Sequence, residues 1–497
     1  MLAGFAVLLA ACPASGQSWL WHPSIGLQET LTNNVNLSGP GTQQSDLVTQ
    51  ITPTLEFEEK GDHTKLHGVV ALPVLLYAKT GAENNQVYPL VDMLGDVTLL
   101  DRLLHIEGAV QVSQQYLNPF GSQQQDLTNP TNNRYQSELY RVTPYIGDTT
   151  GNVTWEVRNN SIWSNLGSTP FDTSNSYTNE WIATASNTEA RAGWRAKIDY
   201  SDTKFTDQGA IRTALGRFEP IYNYDPQLRL IGRIGYEDNH YQLTSSQNVI
   251  YGAGFVWHPD ERTNVAGDWE YRFFGSSYLF TLDHRTPLSI FSVNVSRNIT
   301  TYPQQIATLQ PGTSVFATLD QLFQSRYPDP VARQQAIEQF INDRGLPSTL
   351  SGPVNLYAQQ ILLQQSQSVS AGLIGARNSI MLTVFNVKTS TIAGSGTPLP
   401  LPFDNGNNNT QTGVDLVWTH KLTEATVLTA SADGSRTVAT PPFVGKTNQG
   451  ILRLYLTTPL SGRTNLYMGA RYQALLSDIA PDYHEVAGYI GFITKFN

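Results

Sequence analysis

Along most of its length the chain alternates apolar and polar positions with a period of two, the spacing that sends successive side chains to opposite faces of a β-strand. Leu47, Ile51, Leu55 and Phe57 share one parity, as do Leu66, Val70, Leu72, Val74 and Leu76, and then Leu104, Ile106, Val110 and Val112. Further on, Trp194, Ala196, Ile198 and Tyr200 oppose Arg195, Lys197 and Asp199, while Val265, Trp269, Tyr271 and Phe273 oppose Asp268, Glu270 and Arg272. Leu452, Leu454 and Leu456, then Leu466, Met468, Ala470 and Tyr472, repeat the pattern near the end. No stretch between these segments changes composition as an interdomain linker does.

The connections alternate as well. Tight turns are predicted at Lys60 to His63, Leu100 to Arg102, Gly147 to Asn152, Asn187 to Ala190, Pro259 to Arg262, Gly375 to Asn378 and Pro459 to Arg463. Between them lie longer stretches rich in Asn, Gln, Ser and Gly: Thr32 to Ser45, Leu117 to Asn133, Ser164 to Asn175, Thr391 to Thr410 and Thr437 to Lys446. Short turns at one end and long loops at the other are the arrangement of outer-membrane barrels. The expected fold is therefore all-β, a transmembrane antiparallel up-and-down β-barrel of about 22 strands with both termini periplasmic. A soluble β-sandwich, β-helix or adhesin array is the alternative, since it too would alternate. Chain length, loop asymmetry and the terminal strand favour the membrane. In that strand Val486, Ile490, Phe492 and Phe496 share a parity and partly fit a C-terminal assembly signal, from which Thr494 and Asn497 depart. Pro53, Pro73 and Pro89 cannot donate to a ladder, so bulges or strand ends are expected there.

One connection, residues 301–360, is exceptional. Asp329 to Asp343 has a helical pattern, with Val331, Ile337, Phe340 and Ile341 on one side, Pro328 and Pro330 opening it and Gly345 ending it. Val315, Leu319, Leu322 and Phe323 suggest another helical turn. A loop this long is seldom structureless. It reads as an extracellular cap, as a constriction folded into the lumen, or as a surface ornament.

Before the first strand, the apolar run Leu2 to Ala11 is half the roughly 20 residues that a spanning helix needs. It suits the core of a signal peptide, so residues 1–16 are expected to be a leader and 17–497 the barrel. Two cleavages fit: an ordinary cut after Ala14-Ser15-Gly16, or a lipoprotein cut before Cys12. A basic leader segment is missing, since the first Lys or Arg is Lys60, as expected if the true start lies upstream.

Composition narrows the function. Of 497 residues only 14% are charged and 40% hydrophobic, which leaves no apolar reserve for bundled membrane helices. A net charge of −10 argues against nucleic-acid partners, which call for a basic footprint. The one cysteine is Cys12, so thiolate metal sites and cysteine nucleophiles are excluded from the rest of the chain. The nine histidines lack metal-ligand spacing, and His63 with His67 reads as a structural pair. Gly252 and Gly254 make no dinucleotide fingerprint, and no Gly-x-Ser-x-Gly elbow is present. His284 beside Asp283 is the best isolated hydrolase candidate, although a strand-end role suits it better. No cofactor and no enzymatic activity are expected.

Several segments carry a family likeness: Pro23 to Thr30 followed by Asn33 to Leu37, Asn118 to Gly121, Ile234 to Asn239, Trp257 to Thr263, Arg272 to Tyr278, and Asp283 to Arg285. Together they resemble the PEP-CTERM-system-associated outer-membrane protein family, most specifically from Ile234 to Thr301. Thr286-Pro287-Leu288 departs from the more basic stretch expected there. The resemblance implies a barrel accompanying exopolysaccharide biosynthesis and export in Gram-negative bacteria. It supplies no catalytic residues.

The parity itself points to the lumen wall. If Trp194, Leu230, Ile234, Trp269, Tyr271, Phe280 and Leu282 face lipid, then Arg195, Lys197, Arg229, Arg233, Glu237, Asp268, Glu270, Arg272, Asp283 and Arg285 face inward. On the lipid side each Arg or Lys would cost about 2–4 kcal/mol at the midplane, whereas a wet or paired interior tolerates it. These charges read either as the wall of a polar passage for hydrated glycan or as a salt-bridge network bracing the barrel. Trp155, Trp163, Trp181, Trp257, Tyr278 and Trp418 fit interfacial girdles or, facing inward, sugar-stacking positions. The expected role is a conduit or accessory pore, or else a non-conducting scaffold of a secretion machinery. Expected partners are outer-membrane lipid, polysaccharide and periplasmic export components.

Overall fold

The computed structural model describes residues 18–100, 103–116, 118–123, 126–167, 175–206, 209–241, 245–307, 319, 323, 327, 333, 336–337, 340–341, 353, 360–392, 408–441 and 444–496. The expected leader, with Cys12, lies outside them, as does much of the pattern from Asp329 to Asp343.

The alternating segments are strands. In chain order they are β1 (Ser18–Thr32), β2 (Asp46–Lys60), β3 (Thr64–Ala71, resuming at Val74–Tyr77), β4 (Gln86–Val87, resuming at Leu90–Leu100) and β5 (Leu104–Tyr116). Then follow β6 (Arg134–Thr150), β7 (Val153–Leu166), β8 (Ser176–Asn187), β9 (Ala192–Phe205), β10 (Ala210–Asn223) and β11 (Leu228–His240). Next are β12 (Ser245–Asp260), β13 (Thr263–Arg272), β14 (Gly275–Arg285), β15 (Ser289–Thr300) and β16 (Leu362–Ile374). The last are β17 (Asn378–Thr391), β18 (Asn409–Lys421), β19 (Val427–Ala439), β20 (Lys446–Pro459), β21 (Thr464–Ser477) and β22 (Tyr483–Lys495). Two short helices, α1 (Gly81–Asn84) and α2 (Tyr302–Ala307), lie in connections.

Each strand pairs antiparallel with its neighbours in sequence, and β1 also pairs with β22 from Ser24↔Lys495 to Thr32↔Ala487. The result is a closed barrel of 22 strands. Closure leaves no edge and satisfies the backbone within the sheet, which a hydrocarbon surround demands.

Both described ends of the chain lie at one rim, with connections such as 61–63, 151–152 and 375–377; the opposite rim bears 33–45, 117–133 and 301–361. Gly147 belongs to β6 and Asp260 to β12, so the turns expected around them are shorter than the sequence implied. The long-loop rim also contains a two-residue connection, Phe273-Phe274, closed by Gly275 at φ 92°, a value few other residues adopt without strain.

Side-chain burial shows the two faces directly. On β17 and β18, Leu382, Val384, Val414 and Leu416 are about 40% exposed, while their chain neighbours Met381, Thr383, Asp415 and Val417 are at most 3% exposed. The exposed parity is apolar around the wall, as at Ile198, Ile234, Tyr251, Leu454 and Ile490. Soluble monomers rarely expose contiguous apolar patches beyond a few hundred Å². A band of this extent is matched by lipid, and the fold is that of an outer-membrane β-barrel. Among the described residues no helix is long and apolar enough to cross a membrane; the strands do so.

The prolines explain the breaks in β3 and β4. Pro53 lies within β2, opposite the 72–73 gap of β3, and that gap faces the 88–89 gap of β4. Pro73 and Pro89 occupy those gaps, so the missing donors form one row across three strands. Leu72 N–H to Pro53 O at 3.0 Å and Tyr88 N–H to Pro73 O at 3.0 Å bridge the row.

Leu454→Arg, on the outward face midway along β20, is expected to cost about 2–4 kcal/mol and to reduce the folded, heat-modifiable band on gel electrophoresis. Ser296→Lys, on the inward face of β15, is expected to leave that band unchanged.

Candidate functional site

The lumen is the candidate site, because the inward parity gathers most of the polar and charged side chains. On β9 to β13 it carries two adjacent rows of ion pairs. Glu219 of β10 sits between Arg195 of β9 and Arg233 of β11, the latter at 3.1 Å, and Arg233 reaches on to Asp268 of β13 at 2.6 Å. One level nearer the long-loop rim, Arg217 meets Glu270 at 2.6 Å, and Lys197 meets Asp199 at 2.9 Å. Arg272 closes the series, holding Glu237 at 2.9 Å through one guanidinium nitrogen and at 3.1 Å through another, and donating to Asn298 Oδ1 at 3.0 Å. Glu237 also accepts the Phe273 backbone N–H at 2.7 Å. That contact ties the charge ladder to the short β13–β14 turn.

The ladder balances five cations, Arg195, Lys197, Arg217, Arg233 and Arg272, against five anions, Asp199, Glu219, Glu237, Asp268 and Glu270. Glu219, Glu237 and Glu270 are buried, so each relies on its guanidinium partners to offset the loss of water. Beside the ladder lies a cavity of about 430 Å³, where Leu279 and Ser296 complete a mainly polar wall.

Of the inward charges expected from sequence, Arg195, Lys197, Arg233, Glu237, Asp268, Glu270 and Arg272 are brought together here. Arg229, Asp283 and Arg285 lie apart, toward the tight-turn rim. Arg229 donates to Asn223 Oδ1 at 2.9 Å, Asp283 accepts from Ser292 Oγ at 2.7 Å, and Arg285 donates to the Glu261 carbonyl at 2.8 Å. Sequence reasoning missed Arg217 and Glu219, the links on β10. Their parity is shared by Ile211, Leu215 and Ile221, which masks the alternation on that strand.

Asp283 and His284 are consecutive on β14 and therefore point to opposite faces. His284 Nδ1 instead meets Thr263 Oγ1 at 2.9 Å. The adjacent pair thus lacks the hydrogen bond of an acid–base dyad. Among the described residues, no three His, Cys, Asp or Glu side chains are grouped to hold a metal ion.

Two connections add to the lumen. In 301–361, the eighth connection counted along the long-loop rim, Tyr302 and Ile306 of α2 pack with Leu139, Ile162 and Leu166 on β6 and β7, although α2 leaves the barrel from β15. The helical residues Leu319 and Ile337, with Phe323, Phe340 and Ile341, pack with Ile374, Met381 and Val417, which lie toward the tight-turn ends of β16, β17 and β18. Ile361 then packs with Phe205, Ile211 and Tyr241 near the long-loop rim.

The third connection, 117–133, appeared from composition to be another outer loop. It lies at the long-loop rim and also docks against the inner wall. Asn129, fully buried, donates to Glu485 at 3.0 Å and to the Val35 carbonyl at 3.1 Å, and accepts from Arg471 at 2.6 Å. Arg471 also holds Glu485 at 2.8 Å and pairs with Asp126. Thr32 at 2.6 Å and Gln473 at 2.7 Å complete the partners of Glu485. Gln123 and Gln449 exchange hydrogen bonds nearby, at 3.2 and 2.6 Å. Nothing in the local periodicity of 117–133 announces this docking, because its signal is divided between one loop and strands more than 300 residues away.

No family model and no curated protein matches the chain. Among solved structures, it is similar to the siderophore receptor PirA of Pseudomonas aeruginosa, at 7% identity over 98% of this chain and 81% of that one, with a TM-score of 0.44. OpdO of the same organism is similar at 10% identity over 96% and 98%, with a TM-score of 0.35. A loop-deleted form of OmpT, an outer membrane protein of Vibrio cholerae, is similar at 8% identity over 97% and 100%, with a TM-score of 0.32.

Breaking one side of the Arg471–Glu485 pair should be worse than removing both. Arg471→Met alone is expected to cost about 3–5 kcal/mol, because it strands a buried carboxylate, and Arg471→Met with Glu485→Met to recover most of that. Denaturant unfolding of the barrel in detergent, with protease access to 117–133 as a second readout, measures the difference.

Proposed function

We propose that the chain is an outer-membrane channel, a polar conduit or accessory pore for glycan in exopolysaccharide biosynthesis or export, with both termini periplasmic. The observation that carries this reading is the lumenal wall of β9 to β13, where a net-neutral ladder of ion pairs borders a polar cavity. A hydrated, hydroxyl-rich chain can exchange hydrogen bonds along such a wall without meeting a trapping excess of either charge. The exopolysaccharide cargo rests on the sequence resemblance alone.

A barrel of about 22 strands encloses a lumen that its wall side chains do not fill. We assign the eighth connection the role of constriction, on the strength of its packing against both β6–β7 and β16–β18. A non-conducting scaffold that anchors periplasmic export components is the second reading. It is favoured by the extent to which the ladder is internally paired.

Single-channel recording in planar bilayers separates the two. The conduit reading expects small, steady conductance from the full chain and a severalfold larger conductance after deletion of 308–358. Closed traces from both proteins, with periplasmic components co-purifying, would establish the scaffold instead.

A further inference from the structure

At the long-loop rim, away from the charge ladder, the first, second, third and last loops line an open cavity of about 880 Å³. That is within the range of about 300–1,000 Å³ typical of small-ligand sites. We propose that this cavity is a binding site for an uncharged saccharide.

The lining states the chemistry. Asn36, Asn84 and Asn132 bring amides from three different loops, and Tyr135 and Tyr483 add aromatic rings. An amide presents a donor and an acceptor side by side, which matches a sugar hydroxyl acting as both. Leu37, Leu475, Pro130 and Pro481 supply apolar patches for the C–H faces of a sugar ring. The one charged side chain among the lining residues is Glu83. An acidic ligand would lose hydration here without a cation to replace it, and would meet the Glu83 carboxylate besides.

The site is also held in shape before any ligand arrives. In the first loop, fully buried Asn34 accepts the Ser38 N–H at 2.9 Å and donates to the Ser38 and His484 carbonyls at 2.8 and 3.0 Å. In the second, Asp46 accepts from Lys79 N–H and Thr80 N–H, both at 2.9 Å. In the third, Asn133 accepts Asn118 N–H at 2.9 Å and donates to the Ser122 carbonyl at 3.1 Å. Asn84 donates to Asn36 Oδ1 at 2.9 Å, which joins the first and second loops across the cavity. Leu37, within the lining, has φ 52°, the single positive value at a non-glycine position among the described residues. Backbone strain of this kind persists where the surroundings over-determine it, and it concentrates at ligand sites.

The assignment deepens the glycan reading by naming the ligand's charge and where it is held, and rests on that reading only in taking the long-loop rim as the outer mouth. Calorimetric titration of the full-length barrel in detergent with maltohexaose, and with an acidic oligogalacturonate of equal length, tests it. Maltohexaose is expected to bind, and Asn132→Leu and Asn36→Leu each to weaken it by about tenfold or more. The heat-modifiable band of each variant verifies folding. Tighter binding of the acidic oligomer, no binding of either, or unaltered affinity in both folded leucine variants would overturn the site. A conducting protein that ignores maltohexaose sinks this assignment and leaves the channel standing; a silent protein that binds it through these amides does the reverse.

Discussion

The constraint on which the rest of this molecule depends is that a closed sheet of 22 strands is too wide for its own inward side chains to meet. The outward face has a simple solution, since apolar side chains on every second residue match acyl chains. The inward face has none that is local. Its polar groups must find water, partners across neighbouring strands, or chain returning from a rim. The second and third of these are seen, and they are distributed unevenly around the wall.

On β9 to β13 the solution is lateral. Carboxylates are placed between guanidinium groups of adjacent strands, so the wall satisfies itself and leaves space in front of it. On β16 to β18 the solution is radial: apolar inward residues such as Met381 and Val417 are covered by Leu319 and Ile337 of the eighth connection. Around β21, β22 and β1 a third arrangement buries Arg471 and Glu485 beneath Asn129. The open side and the filled sides of the interior thus differ in chemistry as well as in occupancy.

This division explains what could be read from the sequence. Period-two patterning, turn composition and the even count are local properties, and they identified the barrel and its strand number. Pro73 and Pro89 likewise marked local interruptions before any pairing was known. The ladder was partly visible, but β10 was not, because Arg217 and Glu219 share their parity with three aliphatic side chains. The docking of Asn129 was illegible in principle. Its meaning arises only when a loop, two late strands and the first strand meet in space.

That meeting place coincides with the join of the cylinder. Glu485 belongs to the last strand, Thr32 to the first and Asn129 to the loop between the fifth and sixth. A zipper closed by backbone pairing alone could be sealed as soon as its two borders touched. Here the clasp includes a piece threaded from a quarter of the way along the chain, so the native join is complete only with that piece in place.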